Sequence, residues 1–140
     1  MRENNIKCSL QCVKDLSIEN FDCYYSINNS KEKEINIKYD IKVGKGKNIY
    51  EVNFSFDIDI RNKEKKLFLL EMIYLGIFSI KNVKDEEIEK TLFVTCPNLL
   101  FPSVRHLLKN YTQDSIGTPI LIDPIDFDDL YEKNKHNLKK

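Results

Sequence analysis

Residues 35–60 read INIKYDIKVGKGKNIYEVNFSFDIDI. Ile35, Ile37, Tyr39, Ile41 and Val43 alternate with Asn36, Lys38, Asp40 and Lys42. After the turn-forming Gly44–Asn48, Val52, Phe54, Phe56, Ile58 and Ile60 alternate with Asn53, Ser55, Asp57 and Asp59. Two strictly alternating runs about a Gly- and Asn-bearing turn predict a long antiparallel hairpin with one apolar and one polar face. Each Ile, Val or Phe so buried contributes roughly 1.5–3 kcal/mol relative to exposure. A one-residue slip would exchange the faces, so the pattern specifies the register. Asp57 and Asp59 fall on the polar face and read as solvated, since no third group beside them marks a catalytic pair.

Upstream, Ile6, Cys8, Leu10 and Cys12 alternate with Lys7, Ser9 and Gln11, which predicts a half-buried strand. Cys8 and Cys12 would share a face about 13 Å apart, at roughly 3.3 Å per residue. That is too far for a disulfide, and they read as small core residues. From Lys14 to Glu34 the alternation disappears. Ile18, Phe21, Tyr24, Tyr25 and Ile27 give this loop an aromatic content that either serves a task or covers the sheet edge.

Downstream of the charged turn Arg61–Lys66, the run Leu67–Leu75 is apolar on both faces and must be covered on both. Leu69 and Ile73 flank Glu71 on one side; Phe68, Leu70, Met72 and Tyr74 form the other. Such a strand suits a seam between subunits. Gly76 marks a bulge or bend before Ile77–Ile80. Lys81–Lys90 reads as a short helix or a loop. Thr91–Thr95 reads as a short buried strand ending at Cys96-Pro97-Asn98. Pro102 suits the first turn of a helix, whose stripe is Val104, Leu107, Leu108 and Tyr111 and whose end lies at Ser115–Gly117. Pro119–Ile122 is an apolar extension. Asp126 is placed to cap a last helix with the stripe Phe127, Leu130 and Tyr131.

Composition narrows the function. The 140 residues, 41% hydrophobic and 31% charged, suit a single globular domain, 1–140, with a basic tail at about 133–140 expected to be flexible. A formal net charge of +0 steers the chain toward neither nucleic acid nor an anionic membrane. The N-terminal residues lack an apolar leader and the apolar runs are far too short for a span, so a cytoplasmic protein without membrane insertion is expected. The cysteines at 8, 12, 23 and 96 then read as free thiols. No Gly-rich phosphate loop, GxSxG, HExxH or CxxC occurs, and the histidines are only His106, without a partner, and His136, in the tail. No catalytic residue, metal or cofactor is expected. What remains is apolar and aromatic surface suited to holding a ligand.

The segment Cys96-Pro97-Asn98-Leu99-Leu100-Phe101-Pro102 with Arg105 resembles the CPN-(I/L)-LFP-xxR helix entry of SecB, the bacterial protein-export chaperone family. Ile49–Val52, Leu67–Glu71 leading into Gly76–Ile80, Ile120–Pro124, Asp126–Tyr131 and, near the N-terminus, Lys14–Glu19 extend the resemblance from about residue 6 to about 133. It implies an α+β fold: a four-stranded antiparallel sheet with helices on one face, assembling as a dimer of dimers. It implies ATP-independent binding of unfolded precursor proteins and their delivery to the SecA motor. Asp15, Glu19, Leu69 and Glu71 match positions that meet SecA in the family; Leu70, Met72 and Tyr74 match the strand face of tetramer contact. Phe21, Tyr24, Tyr25, Leu121, Phe127 and Tyr131 are the residues expected to wall a client groove. Two departures stand out. The family is usually acidic with an acidic tail, whereas this chain is neutral with a basic Lys135–Lys140, and the loop after Glu19 lacks the family's prolines. A SecB-like chaperone dedicated to an antitoxin, or a small ligand-binding protein or enzyme on the same sheet, are the competing readings.

Overall fold

The computed structural model describes residues 5–22, 33–63 and 65–138, with side chains to residue 135. Four strands form one antiparallel sheet: β1 (Ile6–Asn20), β2 (Lys33–Lys45), β3 (Tyr50–Asn62) and β4 (Lys65–Ile80), in the order β1-β4-β3-β2. A helical run comes next: α1 (Asp85–Lys90), a π-helical segment (Thr91–Thr95) and α2 (Cys96–Ile116). The last element is α3 (Phe127–Leu138). The helices lie on one face of the sheet, so the fold is the α+β one expected.

The β2–β3 hairpin has the register its alternation specifies: Ile35 faces Ile60, Ile37 faces Ile58, Tyr39 faces Phe56, Ile41 faces Phe54 and Val43 faces Val52. The turn closes with the Gly46 amide donating to the Ile49 carbonyl at 3.0 Å. Asn48, not a glycine, takes the left-handed conformation there at φ 61, which Asn tolerates better than most residues.

β1 runs well past the expected end at Cys12. Its residues change faces twice, because Ser9, inside the alternating run, and Lys14, beyond it, are each extra residues, at register shifts between Cys8 and Leu10 and between Val13 and Asp15. Each bulge exchanges the faces of the residues beyond it. Cys8 faces Phe78 and Cys12 faces Leu75, neighbours on opposite sides of β4. The two thiols therefore do not share a face. After both bulges, Leu16 and Ile18 point toward the helices, opposite Met72 and Leu70, while Asp15, Ser17 and Glu19 point to the open face. Only Phe21 and Asp22 of the expected loop's aromatic part are described; Tyr24 and Tyr25 lie outside the described residues.

The segment expected as a strand, Thr91–Thr95, is helical. Its β-branched, apolar sequence favours a strand locally, but it lies within a continuous helical run from Asp85 to Ile116. Pro97 has no N–H, so the ladder cannot continue with ordinary bonds to the Phe93 carbonyl. The Cys96 amide instead donates five residues back, to Thr91, the π-helical spacing. The helix thus starts before Pro102, which stands inside α2 on its exposed side. Cys96, Leu100, Val104, Leu108, Thr112 and Ile116 form the buried stripe. Gly117, at φ 75, ends the helix and donates its N–H to the Gln113 carbonyl at 3.0 Å. The next segment is tied back through Thr112, whose hydroxyl accepts from the Ile120 amide at 2.8 Å and donates to the Leu108 carbonyl.

The core sits between sheet and helices. Val52, Phe54, Phe56, Ile58, Leu70 and Phe78 are fully buried from the sheet side, Leu100, Val104 and Leu108 from α2. Phe127 completes an aromatic cluster, edge-on to Phe54 at 5.5 Å and to Phe101 at 6.0 Å. Asp126 caps α3 as expected: its carboxylate accepts from the Asp129 amide at 3.0 Å.

Candidate functional site

The hairpin places Asp40, Ile41, Lys42 and Val43 of β2 along one edge of the sheet, and α3 runs beside them. Between them lies a cleft of about 510 Å³, lined by those four residues, Phe93, Leu130, Tyr131 and Asn134. Ile41, Val43 and Leu130 make it apolar, Phe93 and Tyr131 supply aromatic surface, and Asn134 is polar, while the side chains of Asp40 and Lys42, opposite Ser55 and Asn53, alternate to the other face of the sheet. This division suits an apolar side chain carried on a solvated backbone. The Phe93 and Tyr131 rings stack at 6.0 Å between centroids, 23° from parallel. The Tyr131 hydroxyl donates to Glu89 at 2.9 Å. Burial first, then the bonded Glu89 carboxylate, pushes the Tyr131 phenol up to about 12, so it stays a neutral donor. Lys90 and Asp128, 3.6 Å apart, also link α1 to α3, though both are exposed and the pair adds little.

The other candidate surface is the face of the sheet that carries no helix. Cross-strand partners share a face. Glu19 faces Leu69, Ser17 faces Glu71 and Asp15 faces Ile73. On the opposite flank Leu69 faces Asp59 and Glu71 faces Asp57. Asp15, Glu19, Leu69 and Glu71, scattered over two segments of the sequence, are thus neighbours on β1 and β4. Asp57 and Asp59 extend the same carboxylate patch, with Arg61 donating to both oxygens of Asp59 at 3.1 and 3.2 Å. The neutral chain therefore has a locally acidic face. The sequence signal for it was the hairpin's alternation, which set both aspartates on the polar side but did not say what stood beside them.

The remaining expected residues fall differently. Leu70 (0% exposed), Met72 (1%) and Tyr74 (6%) face the helices and belong to the chain's own core. They offer almost no surface to another subunit, and the part-exposed side of β4 is the opposite one, with Leu69, Ile73, Leu75 and Ile77. Phe127 is likewise core, at 2% exposure. Tyr131 reaches the cleft. Phe21 and Leu121 are exposed, Phe21 at the end of β1, where its amide donates to the Leu67 carbonyl at 3.0 Å. Neither is among the residues that line the cleft. Sequence reasoning missed Phe93, hidden in a run that reads as a strand, and Ile41, Val43 and Leu130, whose alternation or stripe marks them only as core. Cys96 is buried, and that burial pushes its thiol up to about 12, so it is packing material rather than a nucleophile. Among the described residues no group of three His, Cys, Asp or Glu could hold a metal ion, and no helix is long and apolar enough to cross a membrane.

A family model described as preprotein translocase subunit SecB matches residues 1–138. The chain belongs to the SecB family. Its relatives include the protein-export proteins SecB of Rickettsia bellii and Rickettsia felis, each 36% identical over 132 residues, covering 92% of this chain and 87% of theirs. That of Rickettsia africae is 35% identical over the same span. The fold is also that of a SecB-like chaperone of Mycobacterium tuberculosis, solved in complex with a peptide from an antitoxin: TM-score 0.70, 11% identity, 87% of this chain and 91% of that one. As a SecB, the chain is a chaperone of protein export.

Proposed function

We propose that this SecB holds unfolded precursor polypeptides without ATP, works as a dimer of dimers in the cytosol, and passes its clients to SecA. The observation that carries this reading is the cleft between β2 and α3. It is open to solvent, lined by apolar and aromatic side chains, and it runs along a sheet edge, where an extended chain fits. One such cleft binds weakly, because ordering a client costs entropy. Repetition around an assembly raises the effective concentration of the remaining sites and recovers affinity. The carboxylate face around Leu69 is the surface proposed for SecA. The exposed Phe21 and Leu121 are proposed as further client contacts outside the cleft, together with Tyr24 and Tyr25.

The test is refolding of a chemically unfolded precursor. The protein alone should slow it, at a stoichiometry set by an assembly whose mass in solution is four chains. Leu130→Glu, which puts a charge on the half-buried wall of the cleft, should abolish the delay. Charge reversal at Asp15, Glu19 and Glu71 together should weaken SecA binding at least tenfold and leave the delay intact. A monomer that leaves refolding unchanged would sink the proposal. The identity to relatives named for protein export, against 11% to the antitoxin-bound chaperone, favours the export role.

A further inference from the structure

The open sheet face has a carboxylate half and an apolar half. The strand register lays it out in rows that run from β1 across β4 to β3. Toward the start of β4 the rows are Glu19, Leu69, Asp59 and then Ser17, Glu71, Asp57. Asp15, Ile73, Ser55 follow, and beyond them come Cys12, Leu75, Asn53 and Leu10, Ile77, Glu51. The carboxylates thus gather about Leu69 and Glu71, which line a depression of about 530 Å³ together with Asp57, Asp59, Lys38 and Arg61. From Ile73 onward the open side of β4 is apolar.

An antiparallel sheet that faces water carries polar side chains on that side. β2 and β3 obey this rule with Asp40, Lys42, Asn53 and Ser55. β4 does not: Ile73, Leu75 and Ile77 are only half-buried, and Leu10 beside Ile77 is exposed. Lys14 is laid over this strip. Its ammonium lies 3.2 Å from Glu51 and 3.4 Å from Asn53, both on β3, so its methylenes cross β4 near Leu75. Both members of the ion pair are exposed, and such a pair is easily displaced. In the carboxylate half, Asp57 stands directly opposite Glu71. Like charges so placed destabilise a sheet, and a cation brought by a partner would relieve them.

Leu69 and Ile77 are eight residues apart on β4, about 26 Å at roughly 3.3 Å per residue. The face therefore suits one segment in which cations are followed by an apolar run, about nine residues long if extended and about seventeen if helical. Unfolded clients vary in charge, and the carboxylates would turn away the acidic ones. A fixed sign beside a fixed apolar strip suits a single dedicated partner. A second copy of the same face would set carboxylates against carboxylates or bury them on the apolar strip.

We propose that Ile73, Leu75 and Ile77 of β4, with Leu10 of β1, are a further contact for the partner that takes the carboxylate half, so that SecA is held through a cationic stretch followed by an apolar one. This rests on the reading of the carboxylate face as the SecA surface.

The test is SecA binding to the assembled protein at low and at high salt. Salt screens the carboxylate half and leaves the apolar half in place. Leu10→Ser and Leu75→Ser should each weaken SecA binding about three- to tenfold, because part of each side chain remains to be covered. The factor should be the same at both salt concentrations. Charge reversal at Asp15, Glu19 and Glu71 should instead remove most of the salt dependence. Both leucine variants should keep the mass of the assembly and the delay of precursor refolding. Where Leu75→Ser loosens the fold, Leu10→Ser, at an exposed position, decides. Unchanged SecA affinity in Leu10→Ser and Leu75→Ser overturns the proposal, while weakening by the charge reversal keeps the carboxylate half as the SecA surface. Loss of refolding delay or of assembly mass in Leu10→Ser, with SecA affinity unchanged, also overturns it and assigns the strip to clients or to another copy. If the charge reversal too leaves SecA binding as it was, the reading of the face as the SecA surface fails and takes this proposal with it.

Discussion

The two faces of the sheet are built from the same strands and have opposite fates. On β4 the even positions Phe68, Leu70 and Met72 are buried beneath helices, while the odd positions Leu69, Ile73, Leu75 and Ile77 are half-covered and Glu71 is exposed. Both sets are apolar enough for a core. What separates them is the helical layer, whose buried stripe from Cys96 to Ile116 meets one face only. An apolar strand therefore does not say which of its faces meets a partner. Here the family's expected contact residues Leu70, Met72 and Tyr74 are spent on the chain's own core, and the surface that remains is the one beside Glu19 and Glu71.

The contrast predicts unequal losses at adjacent positions. Leu70→Ala removes a fully buried side chain and should destabilise by about 2–5 kcal/mol, the range for large-to-small core changes. Leu69→Ala, next to it on the half-covered face, should cost under about 1 kcal/mol in the same urea titration, because less apolar area is lost. Equal losses would mean that the open face is already covered in solution, which sedimentation of the two variants would detect as a change in assembly.

Packing on the covered face can also be broken by adding an atom. A Cβ at Gly76 would stand 2.6 Å from the Phe78 ring and 2.8 Å from Leu100 of α2. Both neighbours are fully buried and cannot swing aside. Gly76→Ala should therefore cost about 1–3 kcal/mol, the usual overpacking penalty. Leu100→Ala in the same chain should relieve part of it. Additive losses would show that α2 does not press on this glycine. The glycine reads in the sequence as a bend, but its reason is the close approach of a helix packed across it.

How far the residues revealed the fold depends on which rule each segment obeys. The β2–β3 hairpin was legible to the residue, since strict period-2 alternation admits one register and no bulge interrupts it. β1 was legible only to Cys12, because Ser9 and Lys14 each insert one residue and no local signal distinguishes a bulged strand from a loop. Thr91–Thr95 misled, since its β-branched residues favour a strand while the flanking helices and Pro97 impose a π turn. For the candidate site, the family resemblance picked out Asp15, Glu19, Leu69 and Glu71, and it is the pairing between distant strands that sets them on one face. The cleft was mostly hidden, because Ile41, Val43 and Leu130 differ from core residues only in what stands opposite them.

The mildest test of the two faces changes no residue. Cys12 faces Leu75 on the open side, whereas Cys96 is fully buried under the helical layer near Cys8. At neutral pH iodoacetamide should label Cys12 in the folded protein and leave Cys96 unmodified until urea unfolds the chain, as peptide mass mapping would show. Rapid labelling of Cys96 in the native state would mean that the start of α2 opens without global unfolding. Alkaline pH adds a second reading of the same thiol. Its ordinary value of 9.0 is raised in the fold to about 12, chiefly by burial. Below pH 9 the thiol is neutral in both states and its protonation has no effect on stability. Between 9 and 12 the unfolded chain releases the proton while the folded one keeps it, so stability falls as pH rises through that window. Cys96→Ala removes this slope, and the difference between the two proteins should change above pH 9 and stay constant below it. A difference that persisted unchanged at pH 7 to 11 would place the thiol in contact with water and the first turn of α2 on the solvent side of the boundary that divides the sheet.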